Sequence, residues 1–578
     1  MNSINIIRLK NSWKLIASIS FLSIAGLVLI RYLTTLNKYA INLPAWDDYD
    51  AVLNFLLEYL RAGTWSERLK LIFAQHNEHR IVTSRLLTLL QYYIAGEVNF
   101  RSQVLIGNCA FIVWLGCAYW LVRNKLNVTW QTASILLLPV LFILLQPQYG
   151  DGMLWTSTTI GCFWTASLAF LSLCLFADYF YLALLLMPVV VFTLGNGIVF
   201  PLCGIIYLFN LGKRKELIIW IMASVLVWVA YFYAYQKPHG HPSPFDALMH
   251  INRTISYFIA FLGSAVSFSN VLWAQIGGAI MLGWFLVVGL VFTIRPKDNY
   301  RVGAVFCFML FLILTGLANS LSRSEFGVEY ALQAGRYRFV SCMLLASCYI
   351  TLLFYIKRAY YPMLLLVILP ATFLYWRNSY AFYQEQLETF HGTLVADTFK
   401  WCVGQGGLTY PWHDRAADIL GRSTWEGVYS FPESKLISSF IAVSNSNPKA
   451  VGSEFKFGID DIWQDSTHYY LRGWALMDRM GKSRRKIFLR LTNDNGKDPS
   501  YMTTFSVARP DVATHFNNRR FLNTGFIAFI AKHQVEPGAR LTLVLNTDSD
   551  TWVKTTTVRL NNMVPFLADQ NGCFVGSS

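Results

Sequence analysis

Apolar runs of membrane-crossing length constrain this chain more than any other feature. The hydrocarbon core of a bilayer is ~30 Å thick, and a helix needs about 20 apolar residues to cross it. Runs near 15–35, 103–122, 132–146, 157–176, 180–194, 198–210, 217–235, 272–294, 302–320, 338–356 and 361–376 predict about eleven crossings. Charged residues make up 14% of the chain, against ~25% in soluble domains. The class is therefore a polytopic α-helical membrane protein with soluble mass attached. The first run is longer than a signal-peptide core and lacks a small-x-small cleavage site, so it reads as a retained helix. Two stretches strain the count. "GNG" (195–197) could turn a re-entrant pair over 180–210, and 254–268 reads as a tilted or half-inserted helix.

Basic clusters set the orientation, because cytoplasmic loops collect Lys and Arg. Arg8/Lys10/Lys14, Arg123/Lys125, Lys213/Arg214/Lys215, Arg295/Lys297/Arg301 and Lys357/Arg358 place the N-terminus in the cytoplasm and the C-terminus outside. The net charge of +15 follows from these helix-end clusters and does not call for a nucleic-acid partner. The expected location is the cytoplasmic (inner) membrane, with the C-terminal domain periplasmic or otherwise extracytoplasmic.

The expected organisation is a transmembrane domain over 1–376, a helical linker over 377–450 and an outer domain over 451–578. The first outer loop is 36–102, with short helices over 47–63, 65–75 and 80–97 lying at the interface. In the last segment, "HYYLRGWALM", "RKIFLRLTND", "TGFIAFIA" and "RLTLVLNT" alternate with the turn signals "NDNGKD", "EPGA" and "NTDSD". Short β-branched and aromatic runs at such spacing predict an antiparallel β-sandwich. Eight of the ten cysteines fall in or beside apolar runs. Cys402 and Cys573 are the two in the outer part, and an oxidising compartment would let them pair.

Charge beside hydrocarbon is costly and usually functional, so the polar residues at the outer ends of these runs are the candidates for chemistry. "PAWDDYD" (44–50) follows the first span and carries Asp47, Asp48 and Asp50. One helix start needs one capping residue, so the Asp47–Asp48 pair exceeds what capping explains. "QHNEHR" (75–80) brings Gln75, His76, Glu78, His79 and Arg80. His76 and His79 are three apart and could share a helix face, which leaves a divalent cation open, although no cofactor is required. The motif is not HExxH, which excludes a zincin. Asp151 lies in "QPQYGDGMLWTS" (146–157). Arg323, Glu325, Glu329, Arg336, Tyr337 and Arg338 lie in 322–341, on the outer face and against the positive-inside trend. Arginine presents a planar donor fork suited to phosphate. A carboxylate base and phosphate-binding arginines at one membrane face fit transfer of a sugar from a lipid phosphate to an outside acceptor.

The acidic residues after the first helix, the interfacial loop helices, the span count and the outer C-terminal domain resemble the GT-C superfamily of polyprenyl-phosphate-dependent glycosyltransferases. "WDDYD", "HNEHRI", "FLGS" (261–264) and "ALQAGRYRFVS" (331–341) are similar to patterns in bacterial membrane proteins of that kind. There the last motif often reads Ser-Arg-Tyr. Gly335 replaces the Ser here, so Arg336 and Tyr337 carry over. "GWAL" (473–476) with "RPDVA" (509–513) resembles a small β-domain attached to some such enzymes. The resemblance implies a GT-C-like fold with an inverting mechanism and Asp47 or Asp48 as general base. It also implies a polyprenyl-phosphate-linked sugar donor, held by Arg336, Tyr337, Arg338, Arg323, Glu78, His79, Arg80 and Asp151. The acceptor would be a glycan or protein, with the β-domain holding or guiding acceptor glycan. The competing class is a lipid-linked sugar or polysaccharide transporter, flippase or polymerase with an outer glycan-binding domain. Arg31, Asp178 and Arg85 lining a cavity would favour transport.

Overall fold

A computed structural model describes residues 2–237, 244–294, 300–402, 408–432, 455–464, 468–477, 485–492, 500–507, 509–535, 540–547, 551–555 and 574–575. The chain divides into two compact units. One comprises 1–41 and 50–384, the other 42–49 and 385–578.

The first unit is helical. Among the described residues, eight helices are long and apolar enough to cross a membrane: Ser20–Tyr39, Phe100–Leu126, Thr156–Leu175, Arg214–Phe232, Val271–Ile294, Val302–Phe326, Gly335–Tyr355 and Arg358–Val395. A ninth appears if Trp130–Leu144 and Pro147–Met153, bent by 58°, count as one span. The bend follows from Pro147 and from Gly150, which sits at φ 51°. The chain is thus a multi-pass membrane protein by its helices.

The two shorter apolar helices, Phe180–Thr193 and Phe200–Asn210, flank the turn Gly195–Val199. Their far ends meet: Lys213 Nζ donates to the Ala177 carbonyl at 2.8 Å, and the Phe176 and Tyr207 rings are 5.5 Å apart. The chain therefore goes up one arm and returns down the other. Arms of 14 and 11 residues rise ~21 and ~16 Å at 1.5 Å per residue, less than the hydrocarbon thickness. Helix Ile251–Leu262, the expected tilted element, is also short. It packs one side on helix Tyr300–Arg323, with Tyr257 Oη donating to Asn319 Oδ1 at 2.9 Å and Thr254 bonded to Ser324 at 3.0 Å.

In the outer loop, helices Phe55–Arg61, Trp65–Phe73 and Val82–Ala95 form where the apolar periodicity places them. Thr64 and Glu67 make a reciprocal capping box at the start of the second. Trp65, Leu69 and Phe73 on that helix, and Leu86, Leu90, Tyr93 and Ile94 on the next, are exposed, as a face meant for lipid would be. "QHNEHR" is not helical. It forms a hairpin of β1 (Gln75–His76) and β2 (His79–Arg80), with His76 opposite His79. Asn77 turns the hairpin at φ 49°.

The second unit contains the C-terminal strands. Helix Tyr361–Cys402 begins in the first unit and ends in this one. Strands β3 (Lys456–Gln464), β4 (His468–Leu476), β5 (Arg485–Thr492), β6 (Ser500–Thr503), β7 (Phe505–Val507), β8 (Gly525–Ala531), β9 (Arg540–Thr547), β10 (Thr551–Thr555) and β11 (Phe574–Val575) form two antiparallel sheets. Their orders are β10-β9-β5-β6 and β11-β3-β4-β8-β7. Alternate residues enter one shared core: Leu489 and Leu491 from β5 and Leu541, Leu543 and Leu545 from β9, against Ile459, Leu471, Phe526, Ala528 and Ile530. A bulge in β3 between Ile459 and Asp461 sets Asp460 out of register, and its carboxylate takes the Arg509 guanidinium. Arg509 Nε also donates to Asp511 Oδ1 at 2.8 Å, which holds the Asp511 carboxyl below the usual range. "GWAL" and "RPDVA" thus fall in one packed region, with Trp474 against Phe516 at 5.8 Å. The Cys402–Cys573 pairing lies outside the described residues.

Candidate functional site

In the helical unit the outer-loop hairpin is anchored from below. Gln75 Oε1 accepts the Gln236 N–H at 2.9 Å and its Nε2 donates to the Gln236 carbonyl at 2.6 Å. Arg80 is buried and donates to the carbonyls of Tyr231, Phe73 and Tyr233. Its guanidinium is committed to backbone, so Arg80 holds the hairpin and is not a phosphate ligand. Arg85 acts alike, donating to the Ile72 and Ala74 carbonyls.

With the hairpin fixed, Glu78 meets Arg323 at the end of helix Tyr300–Arg323: Arg323 Nη2 is 2.6 Å from Glu78 Oε1. His79 Nε2 is 3.8 Å from the same oxygen. The other side of the imidazole rests on the turn Gly195–Val199. A Cβ at Gly195 would come within 2.2 Å of His79 Nδ1, so glycine is what admits the ring. Burial pushes His79 down to about 4. The Glu78 carboxylate opposes that shift, and His76, Arg323 and Arg336 reinforce it. A third of the His79 side chain still meets solvent. Tyr235 Oη reaches the Glu78 carbonyl at 3.4 Å.

Arg336 stands in the first turn of helix Gly335–Tyr355. Its guanidinium lies 5.7 Å from the Trp155 ring and 5.0 Å from Tyr337. Two aromatic faces thus limit where it can point. Asp151 accepts the Gly335 and Gly152 N–H groups in the field of Arg336 and Arg338. A carboxylate at a helix N-terminus complements the dipole. Gly335 is required here: a Cβ would sit 1.5 Å from the Tyr149 carbonyl oxygen and 2.9 Å from Asp151 Oδ1.

Arg338 is 1% exposed. Its Nε donates to the Gln148 carbonyl at 2.5 Å and Nη1 to the Leu332 carbonyl at 2.8 Å. It is a strut inside the helix bundle, not a surface phosphate ligand. Tyr337 is buried against Phe261 at 5.3 Å. The Arg323 partner is Glu78, while Glu325 and Glu329 face solvent. Glu78, His79 and Arg323 form one group and Arg336 with Asp151 another; these five remain as candidates. Among the described residues no group of three or more His, Cys, Asp or Glu side chains is arranged to hold a metal ion. The possible His76–Glu78–His79 donor set is not assembled among these residues, and the motif is a hairpin and not a helix face.

In the second unit, 42–49 is clasped by the segment after helix Tyr361–Cys402. Trp46 N–H donates to the Thr409 carbonyl at 2.8 Å, and Thr409 N–H donates to Asp397 Oδ2 at 2.5 Å. Trp46 stacks on Phe390 with centroids 5.0 Å apart, and Tyr49 lies 5.6 Å from Tyr410. Tyr429 Oη donates to the Asn42 carbonyl at 2.7 Å. Asp48 is 1% exposed and folds back, its Oδ2 accepting the Ala45 N–H at 3.3 Å. Asp47 is half-buried. Burial, followed by the Asp397, Tyr429 and Asp48 charges, raises the Tyr49 phenol well above its ordinary value. Asp397 was invisible as a site residue in sequence, because it sits in an amphipathic helical stretch with nothing to mark it.

Comparison with protein-family models, with curated proteins and with solved structures finds no match to this chain.

Proposed function

We propose that this chain is an integral-membrane glycosyltransferase of GT-C type. It transfers a sugar from a polyprenyl-phosphate donor to an acceptor on the extracytoplasmic side, with inversion. The carrying observation is that two arginines stand at the ends of apolar helices, Arg323 paired with Glu78 at 2.6 Å and Arg336 flanked by the Trp155 and Tyr337 rings. Guanidiniums at the ends of membrane helices suit a lipid phosphate better than a neutral cargo. With the two short arms over 180–210 read as a pair that enters and returns, nine long spans leave the termini on opposite sides. The basic clusters then keep the N-terminus cytoplasmic and put the outer loop and C-terminal domain outside an inner membrane.

In this mechanism Arg336, aimed by Trp155 and Tyr337, holds the donor phosphate, and Arg323 is steered by Glu78. Asp47 takes the acceptor hydroxyl proton as the oxygen attacks the anomeric carbon. The bond from that carbon to the phosphate oxygen breaks on the opposite face, and its electron pair leaves with the phosphate. The guanidiniums stabilise the charge that develops there. A positioned base contributes ~10²–10⁴-fold. Transport has less support. Arg85 is held by carbonyls, Arg31 lies 5.0 Å over the Tyr380 ring and Asp178 is exposed, so the three line no common path.

Lipid analysis tests this reading. Cells lacking the protein should accumulate one polyprenyl-phosphate-linked sugar, cleared by the wild-type gene and not by Arg336→Ala expressed at the same level. Clearance by Arg336→Ala, or an unchanged lipid profile in the deletion strain, contradicts it.

A further inference from the structure

The turn 45–49 meets the segment 409–412 in the second unit, through the Trp46–Thr409 hydrogen bond and the Tyr49–Tyr410 ring contact. Beside that contact, Trp412 lies 5.3 Å from Tyr410 and is 64% exposed. The helix it precedes, His413–Trp425, buries Ala416, Ile419, Leu420 and Ser423, so the core has no claim on the indole. Pro411, His413, Asp414 and Arg415 around it are exposed too.

We infer that Trp412 is a stacking platform for a saccharide ring, and hence that the acceptor is a glycan. The inference rests on the glycosyltransferase reading above and narrows it. Sugar C–H bonds carry partial positive charge and meet the negative face of an indole ring, while their hydroxyls meet carboxylates. The exposed indole and the Asp47 carboxylate thus stand on two segments joined by a hydrogen bond and a ring contact. Asp397 holds the second segment through Thr409, and the stack of Trp46 on Phe390 holds the first. A saccharide lying on Trp412 would thus be offered to Asp47 by a frame whose parts are all hydrogen-bonded or ring-packed.

The test uses full-length protein in proteoliposomes. The lipid fraction of deletion cells serves as donor, and envelope polysaccharide isolated from the same cells serves as acceptor. Wild type should transfer to the polysaccharide, with label that survives protease digestion. Trp412→Ala should raise the half-saturating polysaccharide concentration about tenfold, with the maximal rate and donor dependence unchanged. Trp412→Phe, which keeps an aromatic face, should recover most of that loss. Transfer only to envelope protein, or a Trp412→Ala curve identical to wild type, overturns the platform. So does failure of Trp412→Cys to react with an impermeant maleimide in the proteoliposomes, which would place the side chain in lipid. Absence of transfer to any acceptor by the wild type overturns the glycosyltransferase reading itself.

Discussion

Glu78 Oε1 lies 2.6 Å from Arg323 Nη2, although 245 residues separate them. The pair ties the outer-loop hairpin to the end of a membrane helix. Both side chains keep some exposure, 29% and 17%, so the pair contributes little to stability, ~1 kcal/mol or less. Its value is in aiming Arg323. The single changes Glu78→Arg and Arg323→Glu should each lower sugar transfer by ~10-fold or more with small changes in melting temperature. The double swap should restore the melting temperature and leave transfer low, because the phosphate would face a carboxylate where it needs a guanidinium. Full transfer by the double swap would show that Arg323 only holds the hairpin.

Gly335 yields a second prediction. The motif that 331–341 resembles carries Ser at this position, but a Cβ here would collide with the Tyr149 carbonyl. The short helix Pro147–Met153, with Asp151 reaching the Gly335 N–H, has taken the space. Restoring the pattern with Gly335→Ser should therefore destabilise, by ~3 kcal/mol or more for a backbone that must move, and scatter Arg336. Thermal unfolding in detergent measures it. Wild-type stability in Gly335→Ser would mean that the 147–153 segment can retreat at no cost.

These two sites show what was legible in sequence. Long apolar runs announce helices because hydrocarbon leaves the backbone no other partner, and the strand alternation announces a two-sheet core. Distant commitments were not legible. Nothing local tells that Arg80 and Arg338 serve carbonyls while Arg336, two positions from Arg338, does not. The His76–His79 spacing suits a helix face equally well, and the left-handed Asn77 that makes a hairpin of it is a tertiary choice. Nor does the sequence around 42–49 say that these eight residues pack with a segment more than 350 positions later.

His79 gives a pH dependence. Its folded pKa is depressed to about 4, against ~6.5 when unfolded. As pH falls below ~6.5 the unfolded chain takes up the proton first, so this group lowers stability from there down to about pH 4. Above ~6.5 both states are neutral and it has no effect. His79→Gln should flatten the acid limb of the melting temperature in that window and leave the neutral value nearly unchanged. An acid limb identical to wild type would show that the ring is as well solvated folded as unfolded.

Asp47 and Asp48 are adjacent but placed differently. Asp48 is buried, and its carboxylate closes a turn on the Ala45 N–H at 3.3 Å, while its own N–H donates to the Ala45 carbonyl at 3.0 Å. A base must reach an acceptor hydroxyl, within ~2.6–3.2 Å or through one water, and a buried turn-closing carboxylate is badly placed for that. Asp47 keeps part of its surface and stands in the turn that Trp46 joins to the Trp412 segment. The isosteric change Asp47→Asn keeps shape and removes basicity, so transfer should fall ~10²-fold or more with folding and donor-lipid binding unchanged. Asp48→Asn keeps an acceptor oxygen for the Ala45 N–H and should cost far less in rate. Asp48→Ala leaves that N–H without its partner and should appear mainly as lost stability, ~1–3 kcal/mol. If Asp48→Asn abolishes transfer while Asp47→Asn does not, the roles are reversed and the turn must open during the reaction. Wild-type transfer by both Asn variants and by the double variant would leave the aspartates as a turn at the end of a membrane helix, and the proposed chemistry without a base.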